Sequence, residues 1–227
     1  MKNKKIYFVI PIYNEEKIIQ KVINELIIKT KSFNRKIILI NDGSKDNTIS
    51  KLKKYKHNKN IKIINKKNEG HGKTVIRGYK FAIKNKCDYV FQLDSDDQFF
   101  TSEIKKLIKP KYKQKLIIGK RYNRKDQFLR IVITKIMKMV VFFSHGVMIK
   151  DANSPFRLIE SNFLKTNLRK IEKSIIPNIL ISIIACKNKK IKFVNVKHKE
   201  RETGEVSIKK FKLLIFCIKS LKEIIFF

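Results

Sequence analysis

Near the start of the chain, Ile6-Tyr7-Phe8-Val9-Ile10 form an unbroken apolar run, the pattern of a β-strand covered on both faces. Ile18, Ile19, Val22, Ile23, Leu26 and Ile27 then recur at helical spacing. Residues 36–40 give a second strand, ended by the turn formers Asn41-Asp42-Gly43-Ser44, and Asp46 is placed to cap a helix over 47–55. A third strand over 61–64, a helix over 74–85 and a fourth strand over 89–93 continue the alternation. Repeated β-α units of this size imply right-handed crossovers and an α/β fold, a mainly parallel sheet flanked by helices on both faces. No Pro/Gly/Ser-rich linker divides the 227 residues, so one domain over 1–206 is expected, with 207–227 as an appendage.

That appendage carries an apolar stripe at helical spacing, Ile208, Phe211, Leu214, Ile215, Ile218, Leu221 and Ile225, ringed by Lys209, Lys210, Lys212, Lys219 and Lys222. A basic amphipathic helix of this kind either lies in an anionic membrane interface or packs its stripe on the domain or a partner subunit. The stretch 128–149 has a similar mixture and could share the same surface. It is interrupted by Lys135, Lys138 and His145, so no transmembrane span is expected. The apolar run at the N-terminus is ended by Pro11 and Asn14-Glu15-Glu16, too early for a signal peptide.

Lys and Arg number 54 against 19 Asp and Glu, a formal net charge of +35. This favours anionic partners. The excess is mostly Lys spread through every segment, which fits a compositional bias better than a groove. No zinc-finger, helix-turn-helix or RNP-like pattern is present, and no specific nucleic-acid partner is expected. The three cysteines, Cys87, Cys186 and Cys217, have no metal-ligand spacing and fit unpaired thiols in a reducing, cytoplasmic setting.

The polar motifs fall after the strands, at the edge where parallel sheets bind ligands. The sharpest is Leu93-Asp94-Ser95-Asp96-Asp97-Gln98 after the fourth strand: Asp-x-Asp offers hard oxygen ligands to a divalent cation, which can neutralise a diphosphate leaving group. Pro11-Ile12-Tyr13-Asn14-Glu15-Glu16 after the first strand could hold a base and ribose. Asp42 after the second could accept a nucleobase N–H. Asn68-Glu69-Gly70-His71-Gly72-Lys73 after the third is no Walker A loop, because Lys67 stands where glycine is required; it reads as a flexible loop offering N–H groups and Lys73 to a phosphate.

In this order and spacing the motifs resemble those of the family 2 glycosyltransferases with a GT-A (Rossmann-like) fold, and most of all the branch of dolichol-phosphate mannose synthases and polyprenyl-phosphate sugar transferases. The resemblance spans residues 5–210. It implies a nucleotide-sugar donor, a divalent metal (Mg²⁺ or Mn²⁺), inverting transfer to a polyprenyl phosphate or saccharide, and a place in cell-envelope biosynthesis. By position, Asp42 would contact the base, Pro11, Tyr13 and Glu15 would line the nucleoside pocket, and Asp94 and Asp96 would bind the metal with help from Gln98. Gly119-Lys120-Arg121-Tyr122 resembles a segment whose arginine faces the phosphates, and Arg121 inherits that role. The segment 151–157 matches one near the acceptor and brings in Arg157, for which a structural ion pair with Asp151 or a neighbour is the alternative. The stretch 198–207 matches one that closes over the site, with Arg201 the phosphate contact and Lys209 or Lys210 a weaker choice.

Two departures bear on the acceptor. The acidic motif that supplies a general base in many family 2 enzymes is not evident between 140 and 190; a phosphate acceptor, already an anion, needs none. Asp151 and Glu172 keep a sugar hydroxyl open as acceptor. The C-terminal membrane helices of many lipid-phosphate members are not found in these 227 residues, which counts against a lipid acceptor; the basic tail sets the expectation of peripheral contact with the cytoplasmic membrane face. The competing reading is a non-catalytic basic adaptor binding anionic membrane or nucleic acid on a transferase-like scaffold.

Overall fold

The computed structural model describes residues 3–109, 112–122, 128–199 and 210–227. Strand β1 (Ile6–Ile12) is buried along its whole length between β2 (Arg35–Asp42) and β4 (Tyr89–Gln92), parallel to both. β3 (Ile61–Lys66) pairs in parallel with the far side of β2. Beyond β4, β6 (Arg157–Glu160) runs antiparallel to β4 and to β5 (Leu116–Tyr122), and β5 pairs in parallel with β7 (Ile191–Lys197). Among the described residues the sheet thus has seven strands in the order β3-β2-β1-β4-β6-β5-β7, with β6 alone reversed.

Alternation along β1 divides the core between two faces. Tyr7 and Val9 join Ile38, Ile40 and Tyr79 on one side, while Ile6, Phe8 and Ile10 join Leu26, Phe91 and Phe156 on the other. Helices α1 (Ile19–Thr30) and α2 (Thr48–Lys53) precede β3, with the Asp46 carboxylate accepting the Thr48 N–H at 3.0 Å. Helix α3 (His71–Lys84) starts three residues before the expected 74, so His71-Gly72-Lys73 form its first turn rather than a flexible loop. It lies so close to the sheet that a Cβ on Gly78 would stand 2.3 Å from a Val9 methyl.

After β4 come a single 3₁₀ turn, α4 (Ile104–Leu107), α5 (Phe128–His145), α6 (Ser161–Ile171), α7 (Pro177–Lys187) and the C-terminal α8 (Lys210–Ile225). Helix α8 packs on the body of the protein by one side. Ile224 and Ser220 are buried, the Ile224 carbonyl meets His145 Nε2 at 2.7 Å, and the Glu223 carboxylate accepts the Ile175 N–H at 3.2 Å. Its other side leaves Leu214, Ile215 and Ile218 exposed, near the exposed Ile136, Met139, Phe142 and Phe143 of α5, against which α8 packs. No helix among the described residues is long and apolar enough to cross a membrane.

Candidate active site

Because β1 to β4 are parallel, the segments that follow them all emerge at one edge of the sheet, and side-chain hydrogen bonds lace them together. After β1, Asn14 takes a left-handed φ of 53°; its N–H donates to Ser44 Oγ at 3.0 Å and its amide oxygen accepts the Lys45 N–H at 2.8 Å. The buried Glu15 is anchored by its N–H on Thr48 Oγ1 at 2.9 Å, and Tyr13 beside it is half-buried. The Pro11 carbonyl accepts Ser95 Oγ at 3.0 Å, which fixes the Asp-x-Asp turn to the end of β1.

Acids at a buried edge need cations, and the chain supplies them. Asp42 and Lys66 end neighbouring strands in register and form a buried ion pair. Asp42 also accepts the N–H groups of Glu69 and Gly70, both at 3.0 Å, and so holds the loop before α3. Asp151 grips Arg121 through both oxygens, with Nε at 2.9 Å and Nη2 at 2.8 Å, leaving the Nη1 side of the fork uncommitted to that pair. Asp97 accepts Lys21 Nζ at 2.8 Å and Lys199 Nζ at 2.6 Å.

Asp94 differs. Its Oδ1 is buried without a hydrogen-bond partner among the described residues, and the nearest cationic candidate, His71 Nε2, stands 3.9 Å away. A buried carboxylate oxygen left so is costly until a cation reaches it. Asp96 lies half-buried two residues on, its carboxylate accepting the Gln98 N–H at 3.2 Å. No group of three or more His, Cys, Asp or Glu side chains among the described residues is arranged to hold a metal alone. A hard cation on a nucleotide does not need one, since one or two carboxylates, substrate phosphates and water commonly complete its shell. The donor set therefore fits Mg²⁺ or Mn²⁺ on Asp94 and Asp96.

Arg157 requires a correction. The resemblance puts it in the substrate pocket and the alternative pairs it with Asp151 or a neighbour, but its side chain is wholly buried and donates to backbone carbonyls. Nε donates to the Ser154 carbonyl at 2.8 Å, Nη1 to the Asn178 carbonyl at 2.8 Å, and Nη2 to the carbonyls of Ala152, at 2.9 Å, and Ser154. The guanidinium is thus spent on closing the 152–157 turn against α7, and Asp151 belongs to Arg121. Burial outweighs the fields of Tyr79, Asp151 and Asp94 and lowers the Arg157 pKa to about 10, so the group stays charged at neutral pH. Glu172 is paired with Lys80 on the outside of α3, at 2.7 Å. Lys73 projects exposed from the first turn of α3, and Arg201 and Lys209 lie outside the described residues, as does the Lys210 side chain.

Sequence reasoning missed His71 and Lys66. Lys66 was detectable as the basic end of the strand beside Asp42. His71 had no signal beyond its place in a Gly-x-Gly turn. The approach of that turn is set by Gly72, where a Cβ would stand 2.4 Å from the Ile175 carbonyl oxygen.

A model of glycosyl transferase family 2 matches residues 7–178. The chain belongs to the family 2 glycosyltransferases. It is 30% identical over 186 residues to the UDP-N-acetylglucosamine--dolichyl-phosphate N-acetylglucosaminyltransferase of Methanococcus voltae, covering 73% of each chain. It is 28% identical over 219 residues to the undecaprenyl-phosphate 4-deoxy-4-formamido-L-arabinose transferase of Proteus mirabilis, covering 94% of this chain and 65% of that relative. Among solved structures, the glucosyl-3-phosphoglycerate synthase of Mycobacterium tuberculosis with Mn²⁺, UDP-glucose and glycerol 3-phosphate superposes with a TM-score of 0.69 at 14% identity, over 97% of this chain and 79% of that one. The glycosyltransferase thus has the GT-A architecture, with its Asp-x-Asp turn at the carboxyl edge of the parallel strands.

Proposed function

We propose that this glycosyltransferase transfers a sugar, with inversion, from a nucleoside-diphosphate donor to a polyprenyl phosphate, working as a peripheral enzyme on the cytoplasmic membrane face. The observation that carries the donor half is Asp94 Oδ1 at the strand edge, buried and without a hydrogen-bond partner among the described residues, two residues from Asp96. The acceptor half is supported by the relatives, whose names specify dolichyl and undecaprenyl phosphates. The adaptor alternative is not favoured, because the chain belongs to the family 2 glycosyltransferases and the named relatives are sugar transferases.

In this reading an acceptor phosphate oxygen attacks the anomeric carbon as the nucleoside diphosphate departs, and no side chain has to remove a proton. Asp94 and Asp96, with Gln98 assisting, would hold Mg²⁺ or Mn²⁺, which would supply charge neutralisation for the diphosphate. Arg121, oriented by Asp151, and Lys73 on the first turn of α3 add fixed positive charge, and Arg201 is assigned the same task. Pro11, Tyr13 and Glu15 wall the nucleoside pocket, and Asp42 reads a base N–H while Lys66 balances its charge. Asp42→Asn is expected to weaken UDP binding by about 10- to 150-fold, the equivalent of ~1.5–3 kcal/mol for a charge-assisted bond. Calorimetry that finds unchanged affinity takes Asp42 out of the pocket.

Contact with the membrane is assigned to the outer side of the α5–α8 pair, where Phe143 is 79% and Leu214 57% exposed with Lys138, Lys219 and Lys222 on the same helices. Deleting 208–227 would also remove the buried Ile224 and the Glu223 contact, so point changes give the cleaner test. The intact protein is expected to co-sediment with anionic vesicles, less so as salt rises, and Phe143→Ser with Leu214→Ser to abolish this at unchanged melting temperature. Equal sedimentation of wild type and double variant, or none by wild type, contradicts the assignment.

A further inference from the structure

Asp97 stands between the two residues that flank it in the candidate metal turn, Asp96 and Gln98, yet its chemistry is directed elsewhere. Its backbone is left-handed, with φ at 59°, a conformation that side-chain-bearing residues seldom adopt and that asparagine and aspartate tolerate best. Its carboxylate is buried, and one oxygen is shared by Lys21 of α1 and Lys199, which follows β7, at 2.8 and 2.6 Å. The same Lys199 is laced to the turn three further ways. Its N–H donates to the Gln98 carbonyl at 3.0 Å, the Gln98 amide reaches the Lys199 carbonyl at 3.5 Å, and its ammonium lies over the Phe100 ring at 5.3 Å. Phe99 bridges to His198 as a short antiparallel pair, the two rings meeting edge to face at 5.0 Å.

We infer that Asp97 is a positioning residue of the donor site: it holds no metal, but clamps the Asp-x-Asp turn between α1 and the end of β7 so that Asp96 and Gln98 keep their place. To act as a third ligand Asp97 would have to draw a metal cation to a buried carboxylate on which two ammonium groups already share one oxygen, so that three cations met at one acid. With the clamp in place the left-handed residue is held from both sides, and the turn that carries Asp96 has little freedom to relax. Loss of a group that orients a metal ligand lowers metal affinity by about 10- to 100-fold. This inference rests on the metal-dependent donor site proposed above.

The test compares wild type, Asp97→Asn, the paired Lys21→Met/Lys199→Met variant and the combination of all three. Mn²⁺ binding is followed by its electron paramagnetic resonance signal in the presence of UDP, and amide hydrogen exchange of residues 96–100 is measured without metal. Asp97→Asn keeps the left-handed preference and removes the charge; it is expected to weaken Mn²⁺ binding by about 10- to 100-fold and to speed exchange. The lysine pair is expected to reproduce both effects, and the combination to add nothing to either. Lys199→Arg, which keeps the charge, should restore most of the affinity. If the lysine pair binds Mn²⁺ like wild type while Asp97→Asn does not, Asp97 is a ligand and the inference fails; it also fails if Asp97→Asn changes nothing. Should Asp97→Asn not fold, the lysine pair carries the test by itself, because wild-type affinity there overturns the clamp. A wild type that ignores Mn²⁺ with UDP present refutes the metal-dependent donor site itself.

Discussion

Asp96→Ala is expected to lower sugar transfer by at least about a thousandfold, a loss of ~4 kcal/mol of transition-state stabilisation, and to remove the metal dependence of nucleotide binding. The expectation follows from the turn itself. Asp94 brings a buried oxygen without a hydrogen-bond partner among the described residues, and Asp96 is the second hard carboxylate beside it. Asp96 is half-buried, and besides its own bond to the Gln98 N–H the turn is secured by Ser95 on the Pro11 carbonyl and by Asp97 on its two lysines. The variant should therefore melt close to wild type. Steady-state rates with added Mn²⁺ and with chelator, alongside a melting curve, check both halves. Full activity of Asp96→Ala in chelator would remove metal chemistry from this site.

Arg157→Met is expected to act on stability first, costing about 3–5 kcal/mol, a fall in melting temperature of roughly 6–20 °C for a protein of this size. Methionine fills much of the volume but donates nothing. The carbonyls of Ala152, Ser154 and Asn178 would then lose the guanidinium donor, with only the Ser182 hydroxyl, among the described side chains, left to serve those of Ala152 and Asn178. Since those bonds tie the 152–157 turn to α7, the position of Asp151 and hence of Arg121 should loosen as well. Urea titration gives the stability, and activity below the midpoint gives the secondary effect. A variant with wild-type stability that has lost only nucleotide affinity would put Arg157 back among the substrate contacts.

These two residues also mark how far the sequence could be read. The parallel half of the sheet was legible because β1 and β2 are continuous apolar runs and the polar motifs stand directly after the strands; Asp94, Asp96 and Asp42 fall at one edge as expected. The far half was not. β6 is four residues long and opens with the charged Arg157, so it carries no strand signal, while α7 is buried on nearly every side and lacks the amphipathic period that betrays a surface helix. Arg157 was misplaced because an arginine in a polar turn normally faces solvent or an anion, and what redirects it, the carbonyls of Ser154 and Asn178, belongs to tertiary structure. The partners of Asp97, Lys21 and Lys199, lie 76 and 102 residues away in the chain, a pairing no local pattern can announce. The tail was read as either a membrane helix or a packed one, yet α8 buries Ile224 and leaves Leu214 and Ile218 in the open.

The identity of the product tests the central claim most directly. The purified glycosyltransferase would be incubated with a panel of UDP- and GDP-sugars, Mn²⁺ and a short polyprenyl phosphate in anionic vesicles, and the lipid fraction analysed by mass spectrometry. The account predicts one added sugar residue linked to the lipid phosphate, formed with wild type and absent with chelator or Asp96→Ala. Transfer to a soluble saccharide with no lipid-linked product, or lipid-linked product formed equally well in chelator, would contradict it.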